Sequence, residues 1–539
     1  MVLNLNWKAG LDRSPWRPEA PCIALGSAGT AFIYDQRNNN TRLPFIFFYR
    51  STGILDAFNT FTGDWLNVTS SLTLATVGAG SCAIFHPSQG PGVGTLSGSG
   101  SIGTISAGST TTVTLSTVLL QAVGLNQLAD RGDGIGFRMR VIGMSSGGSG
   151  HTNEVTITKN TAGTTPTITF TPALDFTPQA GDGYEILSGK VYVLGIGASP
   201  IIKMLDIGTG YPSSVGLSNT NLPTIGTDSF FLATAEVYIS NDRNPGDGFI
   251  DNGATYNQAG NKACSVTGSP TSITIQAAAL TNPSIPSLGT NEYRNFQIRI
   301  VQDATAPTSV GQRRNITSHT SGNTPTFTVP AFTVTPSTAA LFVVEQNNDR
   351  LLLRTSASTN MYNYSIGGNA WDASTTWAAG GTGNGAGVMI APAFGITRDP
   401  TGNRLQGQMF VFTGGNNANV DMFDITAGAT GAWTAAIAKG FGGAVLSTTG
   451  TCGCYDPVTL GGQYFHISTV AASSAARMSR FNVLTQTFEA GTYMPYFCGS
   501  SVIGQRMAMS YVFDGATKLA VLYQEVANAI QMFSQLVPI

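Results

Sequence analysis

The residues that could do chemistry in this 539-residue chain are few and scattered. Its four histidines are His86, His151, His319 and His466. Their spacing matches neither a catalytic triad nor a set of metal ligands. A copper oxidase needs several His and Tyr ligands at one centre, which four dispersed histidines do not supply. A glycosidase needs paired carboxylates, and nothing in the sequence singles out a pair among the 29 acidic residues. We therefore predict that the chain is not an enzyme and needs no cofactor.

One acidic segment, residues 242–252, has the composition of a cation-binding loop. It reads DRNPGDGFIDN, and its candidate ligands are Asp242, Asn244, Asp247 and Asp251. Alternating Asp and Asn with Gly is typical of an oxygen-rich calcium loop. The spacing differs by one residue from the helix–loop–helix pattern, and no Glu stands at the closing position. An ordinary turn, in which Asp and Asn side chains bond their own backbone, is the competing interpretation and the simpler one.

The cysteines and one adhesion-like tripeptide indicate no further site. The six cysteines are Cys22, Cys82, Cys264, Cys452, Cys454 and Cys498. Their spacing predicts no disulfide framework. Cys452 and Cys454 are too close together in sequence for the usual zinc knuckle. We expect reduced cysteines in the core or in loops. The tripeptide Arg131-Gly132-Asp133 is predicted to form a polar turn before a strand at 137–141.

A repeat near the C-terminus indicates which elements must position these residues. Turns built on Asp399, Asp456 and Asp514 each precede an apolar strand, at steps of 57 and 58 residues. A repeat of about 40–50 residues with several short strands is typical of a β-propeller blade. A blade cannot bury its apolar face alone, so the repeat predicts a ring of blades that pack on one another.

The same plan extends over the rest of the chain. Residues 31–65 form a fourth unit, and two further blade centres lie at 190–207 and 350–371. These two centres lack the acidic turn and follow about a hundred residues of different sequence. Because loop tips tolerate inserted domains, we predict six blades with two inserts in blade hairpins. The predicted boundaries are 1–87 (blade 1 and the start of blade 2), 88–188 (first insert), 189–235 (blade 2 and the start of blade 3), 236–346 (second insert) and 347–539 (blades 3–6).

The two predicted inserts are related to each other. Residues 157–169 read ITKNTAGTTPTIT and residues 316–328 read ITSHTSGNTPTFT, with eight identities at a constant offset of 159. Alternation of apolar residues with Thr predicts antiparallel strands with one buried face. We therefore expect two related β-sandwich-like domains that superpose with Pro166 over Pro325. The whole chain is predicted to be all-β.

Composition limits the partners that the chain can have. Charged residues are only 10% of the chain, against about 25% in ordinary globular proteins. The net charge of −2 excludes a strongly basic surface on average. So few charges, with a balance near zero, favour association, and we expect much of the surface to be buried against other subunits. No run of 18 apolar residues predicts a membrane span, and the start shows no secretory leader.

The chain ends point to one way of closing a ring. The C-terminal run 530–533 is an apolar strand with almost nothing after it. A closed ring pairs its last open edge by sharing one blade between the two chain ends. We therefore expect the region 21–33 to lie beside the C-terminal strand.

The blade plan resembles that of kelch-like propellers, in which double glycines recur; here Gly367-Gly368 and Gly414-Gly415 come close to that signature. The charge-poor, Gly- and Thr-rich segments 161–168 and 178–184 resemble the β-domains of virion structural proteins from tailed bacteriophages. A propeller with inserted β-domains is similar to the tail nozzle subunit of short-tailed phages, which forms a six-fold ring through which DNA leaves.

This resemblance implies a structural virion component of the tail, made in the host cytoplasm. Its partners would be further copies of itself, in a ring that could hold six, and the neighbouring tail proteins. Genomic DNA would be passing cargo only. The resemblance carries over no catalytic residues. Two alternatives stay open at this point: a receptor- or glycan-binding tail adhesin, and an enzyme built on a propeller.

Overall fold

A computed structural model of the chain shows an all-β protein. It describes residues 16–21, 31–34, 45–49, 55–59, 65–67, 82–86, 103–117, 123–126, 128–129, 138–144, 152–187, 190–195, 201–206, 213–224, 229–233, 264–266, 271–275, 289–310, 312–322, 325–338, 340–345, 350–355, 358–366, 369–373, 377, 380, 389–392, 408–412, 419–439, 453–456, 464–470, 476–482, 485–488, 507–513, 518–526 and 529–537. Within those ranges the chain forms β-strands, turns and one 3-10 helix at Pro307–Ser309, and no α-helix.

The strands are numbered in chain order. The first six are β1 (Trp16–Pro21), β2 (Ala31–Tyr34), β3 (Phe45–Tyr49), β4 (Leu55–Asn59), β5 (Trp65–Asn67) and β6 (Cys82–His86). The next six are β7 (Gly103–Ser109), β8 (Thr112–Leu115), β9 (Arg138–Ile142), β10 (Thr152–Asn160), β11 (Thr167–Thr171) and β12 (Gly183–Leu187). These are followed by β13 (Lys190–Gly195), β14 (Ile201–Asp206), β15 (Ser213–Gly216) and β16 (Ser229–Ala233).

The second half of the chain continues in the same way. Its first seven strands are β17 (Cys264–Val266), β18 (Ser272–Ile275), β19 (Gln297–Gln302), β20 (Arg313–Asn315), β21 (Ser318–His319), β22 (Thr326–Thr328) and β23 (Leu341–Glu345). The next seven are β24 (Arg350–Thr355), β25 (Tyr362–Ser365), β26 (Ala370–Trp371), β27 (Met389–Pro392), β28 (Gln408–Phe412), β29 (Asn419–Asp424) and β30 (Ala432–Lys439). The last seven are β31 (Gly453–Asp456), β32 (Tyr464–Val470), β33 (Ala476–Asn482), β34 (Thr487–Phe488), β35 (Met507–Phe513), β36 (Lys518–Val526) and β37 (Ala529–Val537).

Outside β7–β12 and β17–β23, the strands form six antiparallel sheets of four strands each. We number them sheet 1 (β2-β3-β4-β5), sheet 2 (β6-β13-β14-β15), sheet 3 (β16-β24-β25-β26), sheet 4 (β27-β28-β29-β30), sheet 5 (β31-β32-β33-β34) and sheet 6 (β35-β36-β37-β1). The first strand of each sheet lies against the first strand of the next: β2 contacts β6, β6 contacts β16, and so on to β35, which contacts β2. The sheets therefore follow one another in a closed cycle of neighbours.

The packing of sheet 3 shows how neighbouring sheets bury one another. Side chains of a strand alternate between its two faces. On one face of β24, Leu351 and Leu353 pack in a cluster with Tyr192 of sheet 2. On the other face, Leu352 packs with Met409 of sheet 4. Both faces are thus apolar, which explains why β24 carries an uninterrupted run of leucines where a one-sided strand would alternate.

Sheet 4 continues the same arrangement toward sheet 5. The rings of Phe410 and Phe412 on β28 each lie with their centroids 5.4 Å from that of Phe481 on β33. Met409 and Val411, on the opposite face of β28, belong to the cluster shared with sheet 3. Such edge-on and tilted ring pairs stabilise a contact beyond the area that they bury.

The two ends of the chain meet in sheet 6. Strand β1 pairs antiparallel with β37, with Trp16 opposite Phe533 and Pro21 opposite Ala529. The C-terminal strand therefore lies beside an N-terminal one, as the sequence predicts. The partner is residues 16–21, which overlap the predicted region 21–33 only at Pro21. Residues 31–34 instead form β2, the first strand of sheet 1. Pairing the two ends removes an open sheet edge.

Strands β7–β12 lie in the chain between β6 and β13, which pair with each other. They close into a barrel in the order β10-β11-β8-β7-β12-β9. The expected β-sandwich is wrong here, because β7 pairs with both β8 and β12 and no edge remains. Gly103 permits this closure: it pairs with Tyr184, and a Cβ atom at Gly103 would collide with the tyrosine ring. We call β7–β12 the barrel.

Strands β17–β23 lie between β16 and β24, which also pair with each other. They form two sheets, β17-β18-β22-β21 and β20-β19-β23, and we call them the two-sheet segment. Both sheets contribute to one apolar cluster, through Ile298 on β19 and Phe327 on β22.

The pairing registers relate the barrel to the two-sheet segment. In the barrel Asn160 pairs with Ile168, and 159 residues later His319 pairs with Phe327. Likewise Met139 pairs with Val155 in the barrel, as Ile298 pairs with Arg314 in the two-sheet segment. Pro166 and Pro325 are both buried and stand just before the equivalent strands β11 and β22. The relationship predicted from the sequence therefore extends to hydrogen-bonded pairing.

Candidate functional site

Most residues with predicted chemistry lie outside the described part of the chain. The calcium candidates Asp242, Asn244, Asp247 and Asp251 all do, and so does the tripeptide 131–133. In the described ranges, no group of three or more His, Cys, Asp or Glu side chains comes close enough to hold a metal ion. No described helix has the length and apolar character that a membrane crossing requires. The calcium loop stays a prediction.

The structure does not bring the described histidines together. His86 ends β6 of sheet 2, His466 lies in β32 of sheet 5, and His319 lies in β21 of the two-sheet segment. Cys82, also on β6, is buried. His151 lies outside the described residues. The described histidines thus belong to separate sheets.

Two buried arginines on β24 mark the junction of sheets 3 and 4. Arg354 is 0% exposed, and its guanidinium lies 4.7 Å from the ring centroid of Trp433 on β30. The guanidinium of Arg350 lies 5.1 Å from the ring centroid of Trp377. Arginine above an aromatic face is an attractive contact that strengthens when water is excluded. The Arg354–Trp433 pair joins sheet 3 to sheet 4, while Arg350 contacts a tryptophan in the connection between the two sheets.

Burial and a nearby carboxylate set the charge at this junction. Burial lowers the pKa of Arg354 to about 10, while the charges of Asp421 and Tyr362 act in the opposite direction. Asp421 is fully buried on β29 and accepts the backbone N–H of Ala436 at 2.8 Å. Arg354 therefore remains a cation at neutral pH. A guanidinium that solvent cannot reach is suited to joining two sheets and not to binding a substrate.

A polar loop latch in the barrel is a feature that the sequence did not reveal. Asn160 Oδ1 accepts the backbone N–H of Leu128 at 2.8 Å. In return Asn126, whose φ is 55°, accepts the backbone N–H of Asn160 on its Oδ1 at 3.2 Å. The backbone N–H of Asn126 also donates to the carbonyl of Asn160 at 2.9 Å. These bonds fix the loop 123–129 against the end of β10.

The same latch recurs in the two-sheet segment with a histidine in place of the asparagine. His319 Nε2 accepts the backbone N–H of Tyr293 at 2.9 Å. Asn291, with a φ of 61°, accepts the backbone N–H of His319 on its Oδ1 at 2.7 Å. His319 Nδ1 lies 2.8 Å from the carbonyl of Thr320, so this nitrogen carries the ring proton. His319 is 3% exposed, so its Nε2 is a buried acceptor.

The latched loop of the two-sheet segment lies against sheet 4. Asn295 Nδ2 donates to the carbonyl of Ile425 at 2.7 Å. Tyr293 and Phe296 pack in one cluster with Trp377 and Phe423. The barrel joins the same cluster through Ile142 and Met144. The two-sheet segment and the junction of sheets 3 and 4 thus share one apolar core, while the barrel has a core of its own and touches the shared one at Ile142 and Met144.

Comparison with known proteins leaves the chain without a family. No protein-family model matches the sequence, and no curated protein matches it. Among solved structures, the β-propeller domain of Cps50 (Swd1) from Myceliophteria thermophila is 9% identical, with a TM-score of 0.28 over 94% of this chain and 99% of that one. Sqt1 of Saccharomyces cerevisiae is 7% identical, with a TM-score of 0.28 over 95% of this chain and 100% of that one. Likeness at this level says nothing about function.

Proposed function

We propose that the chain is a six-bladed β-propeller and that its second and third blades carry the barrel and the two-sheet segment as inserted domains. Support comes from the six four-stranded sheets and from the closed cycle of contacts between their first strands. Both chain ends contribute to sheet 6, as in a propeller whose last blade is shared. Each proposed insert lies between two strands that pair in one blade.

The function that best fits this architecture is that of a structural subunit of a bacteriophage tail, of the nozzle type. The observation that carries the proposal is that the buried charged side chains at the junction of sheets 3 and 4 hold the sheets together. Arg354 lies on Trp433, with the buried carboxylate of Asp421 as its counter-charge, so these groups join two sheets at a place that solvent does not reach. Together with a charged fraction of only 10%, this supports a chain whose role is to be packed.

Oligomeric state is the direct test. Purified full-length chain is examined by mass photometry and negative-stain microscopy over a range of concentrations. We expect closed rings, and six copies in each ring. A chain that stays monomeric at every concentration contradicts the nozzle role. If that monomer also binds polysaccharides, the receptor-binding adhesin replaces it; if it cleaves them, the chain is an enzyme.

DNA binding provides a second test of the same role. A channel that passes DNA must not hold it, because each Lys or Arg contact to phosphate adds salt-dependent affinity. The chain has 27 basic and 29 acidic residues, so we expect no mobility shift of duplex DNA below about micromolar protein at physiological salt. Tight binding under these conditions contradicts a passive channel.

The ring closure is tested separately from the function. Deleting residues 525–539 removes all of β37 and the last two residues of β36, and it leaves the rest of β36 and β1 without their partner. Because an unpaired edge strand promotes aggregation, we expect the shortened chain to be insoluble or aggregated. A soluble, monomeric product would contradict the shared last blade while leaving the tail role open.

A further inference from the structure

We infer that the latch at His319 is an acid-sensitive device, which releases the loop 289–296 of the two-sheet segment when the imidazole is protonated. In the observed arrangement Nδ1 donates to the carbonyl of Thr320 and Nε2 accepts the N–H of Tyr293. A second ring proton can only be added at Nε2. It would place two donors face to face and remove the acceptor of a buried N–H, which is the costly way to lose a hydrogen bond.

Two aromatic rings lie beside the imidazole: Phe327 on β22, at 5.0 Å between centroids, and Tyr293, at 6.0 Å. The neighbours in its own strand and turn, Ser318 and Thr320, are uncharged.

Charged groups flank the latch on the loop. Arg294 donates from Nε to the carbonyl of Thr317, and the Glu292 carboxylate lies over Gly289. In the released loop the imidazole is free of the latch, and a histidine in water gains its second proton between about pH 8 and pH 5, so mild acid favours the released loop over the latched one.

Release of this loop affects more than the segment itself. The loop carries Tyr293 and Phe296 of the shared apolar core, and it carries Asn295, which bonds to Ile425 of sheet 4. Loosening the latch therefore weakens the contact between the two-sheet segment and sheet 4. The barrel has no such response, because an asparagine amide does not titrate in this range and Asn160 fills the equivalent position.

The barrel supplies the matched control for an experiment on the full-length chain. Hydrogen exchange followed by mass spectrometry is measured at about pH 7.5 and pH 5, with correction for the chemical pH dependence of amide exchange. In the unmodified chain we expect exchange in peptides covering 289–297 to rise about tenfold in acid. Peptides covering 123–130, which contain the Leu128 amide, should show no comparable change.

Two reciprocal variants sharpen the test. His319→Asn copies the barrel latch and should abolish the acid response at 289–297. Asn160→His copies the other latch and should create a response at 123–130. An unchanged 289–297 segment in the unmodified chain, or an equal rise in both segments, overturns the inference. So does an acid response that persists in His319→Asn. The comparison within the unmodified chain decides the matter even if a variant fails to fold.

Discussion

The barrel and the two-sheet segment keep the same strand registers but hold their loops with different polar side chains. An asparagine amide accepts the loop N–H in one, and a histidine imidazole accepts it in the other. The asparagine that returns the bond, Asn126 or Asn291, is retained with a positive φ in both. Position and backbone geometry are therefore kept, while the chemical identity of the acceptor is free to vary.

In a second pair of loops, the position of the buried acceptor in the chain also differs between the two segments. In the barrel, Asp182 in the turn before β12 accepts the backbone N–H groups of Gln179 and Met144, each at 2.8 Å. In the two-sheet segment the carboxylate lies on the opposite loop. Asp303, just after β19, accepts bonds from Ser337 in the turn before β23. The same two loops are joined, but from opposite sides, so what the two segments share is the need for a buried acceptor and not its place in the chain.

The largest expected effect is the loss of stability when equivalent core residues of the barrel and the two-sheet segment are truncated. Ile168 and Phe327 are 159 residues apart, and both are fully buried. Phe327→Ala should cost about 3–5 kcal/mol and Ile168→Ala about 2–5 kcal/mol. The phenylalanine should be the costlier loss, because its ring also contacts His319 and Tyr293.

Native-state hydrogen exchange in β22 and β11 measures these costs segment by segment, which avoids treating the whole chain as a two-state system. Phe327→Leu is the matched control, since it keeps much of the apolar volume and removes the ring contacts. If Ile168→Ala proves the more damaging change, the apolar contribution of the latch to the two-sheet segment is smaller than its geometry indicates.

The next effect concerns the buried carboxylates of Asp303 and Asp182, which lie on opposite loops of the two segments. Asp303 accepts the N–H groups of Thr305, Ala306 and Ser337, and also the hydroxyls of Ser309 and Ser337. Asp182 accepts the two N–H groups of Gln179 and Met144 among its contacts. Asp303→Ala should therefore cost about 3 kcal/mol or more, because five hydrogen bonds lose their acceptor, and Asp182→Ala should cost at least about 2 kcal/mol.

Protection from proteolysis and local hydrogen exchange at the two turns compare the aspartate variants directly. The isosteric changes Asp303→Asn and Asp182→Asn serve as controls, since an amide keeps one acceptor oxygen. A loss below about 1 kcal/mol in Asp303→Ala would show that its five bonds are redundant.

Strands could be predicted from the sequence more fully than the pairing that closes the barrel and the hydrogen bonds that hold the loops. The all-β fold follows from apolar alternation, and the relation between residues 157–169 and 316–328 follows from a repeated Gly, Pro and Thr pattern. Both are local signals. Closure of the barrel was missed because it depends on Gly103 meeting Tyr184, residues whose pairing no local pattern specifies.

The latches were missed for a related reason. Asn126 is 34 residues from Asn160 and Asn291 is 28 residues from His319, so the constant offset of 159 does not reveal them. The one available signal was the exchange of Asn160 for His319 inside an otherwise similar segment. The calcium candidates at 242–251 lie outside the described residues, and that prediction stands as the sequence left it.

The smallest expected effect is also the one that should be the same in both segments. Gly163 and Gly322 are 159 residues apart and have φ values of 125° and 110°. A Cβ atom at either position would meet no other atom within 4 Å. Substitution by alanine therefore introduces backbone strain and no collision, and each variant should lose about 1–3 kcal/mol. Hydrogen exchange at the two turns should give equal losses to within about 0.5 kcal/mol, the error of additivity between independent sites. A loss at only one turn would mean that the backbone geometry of the two segments is less alike than their pairing registers.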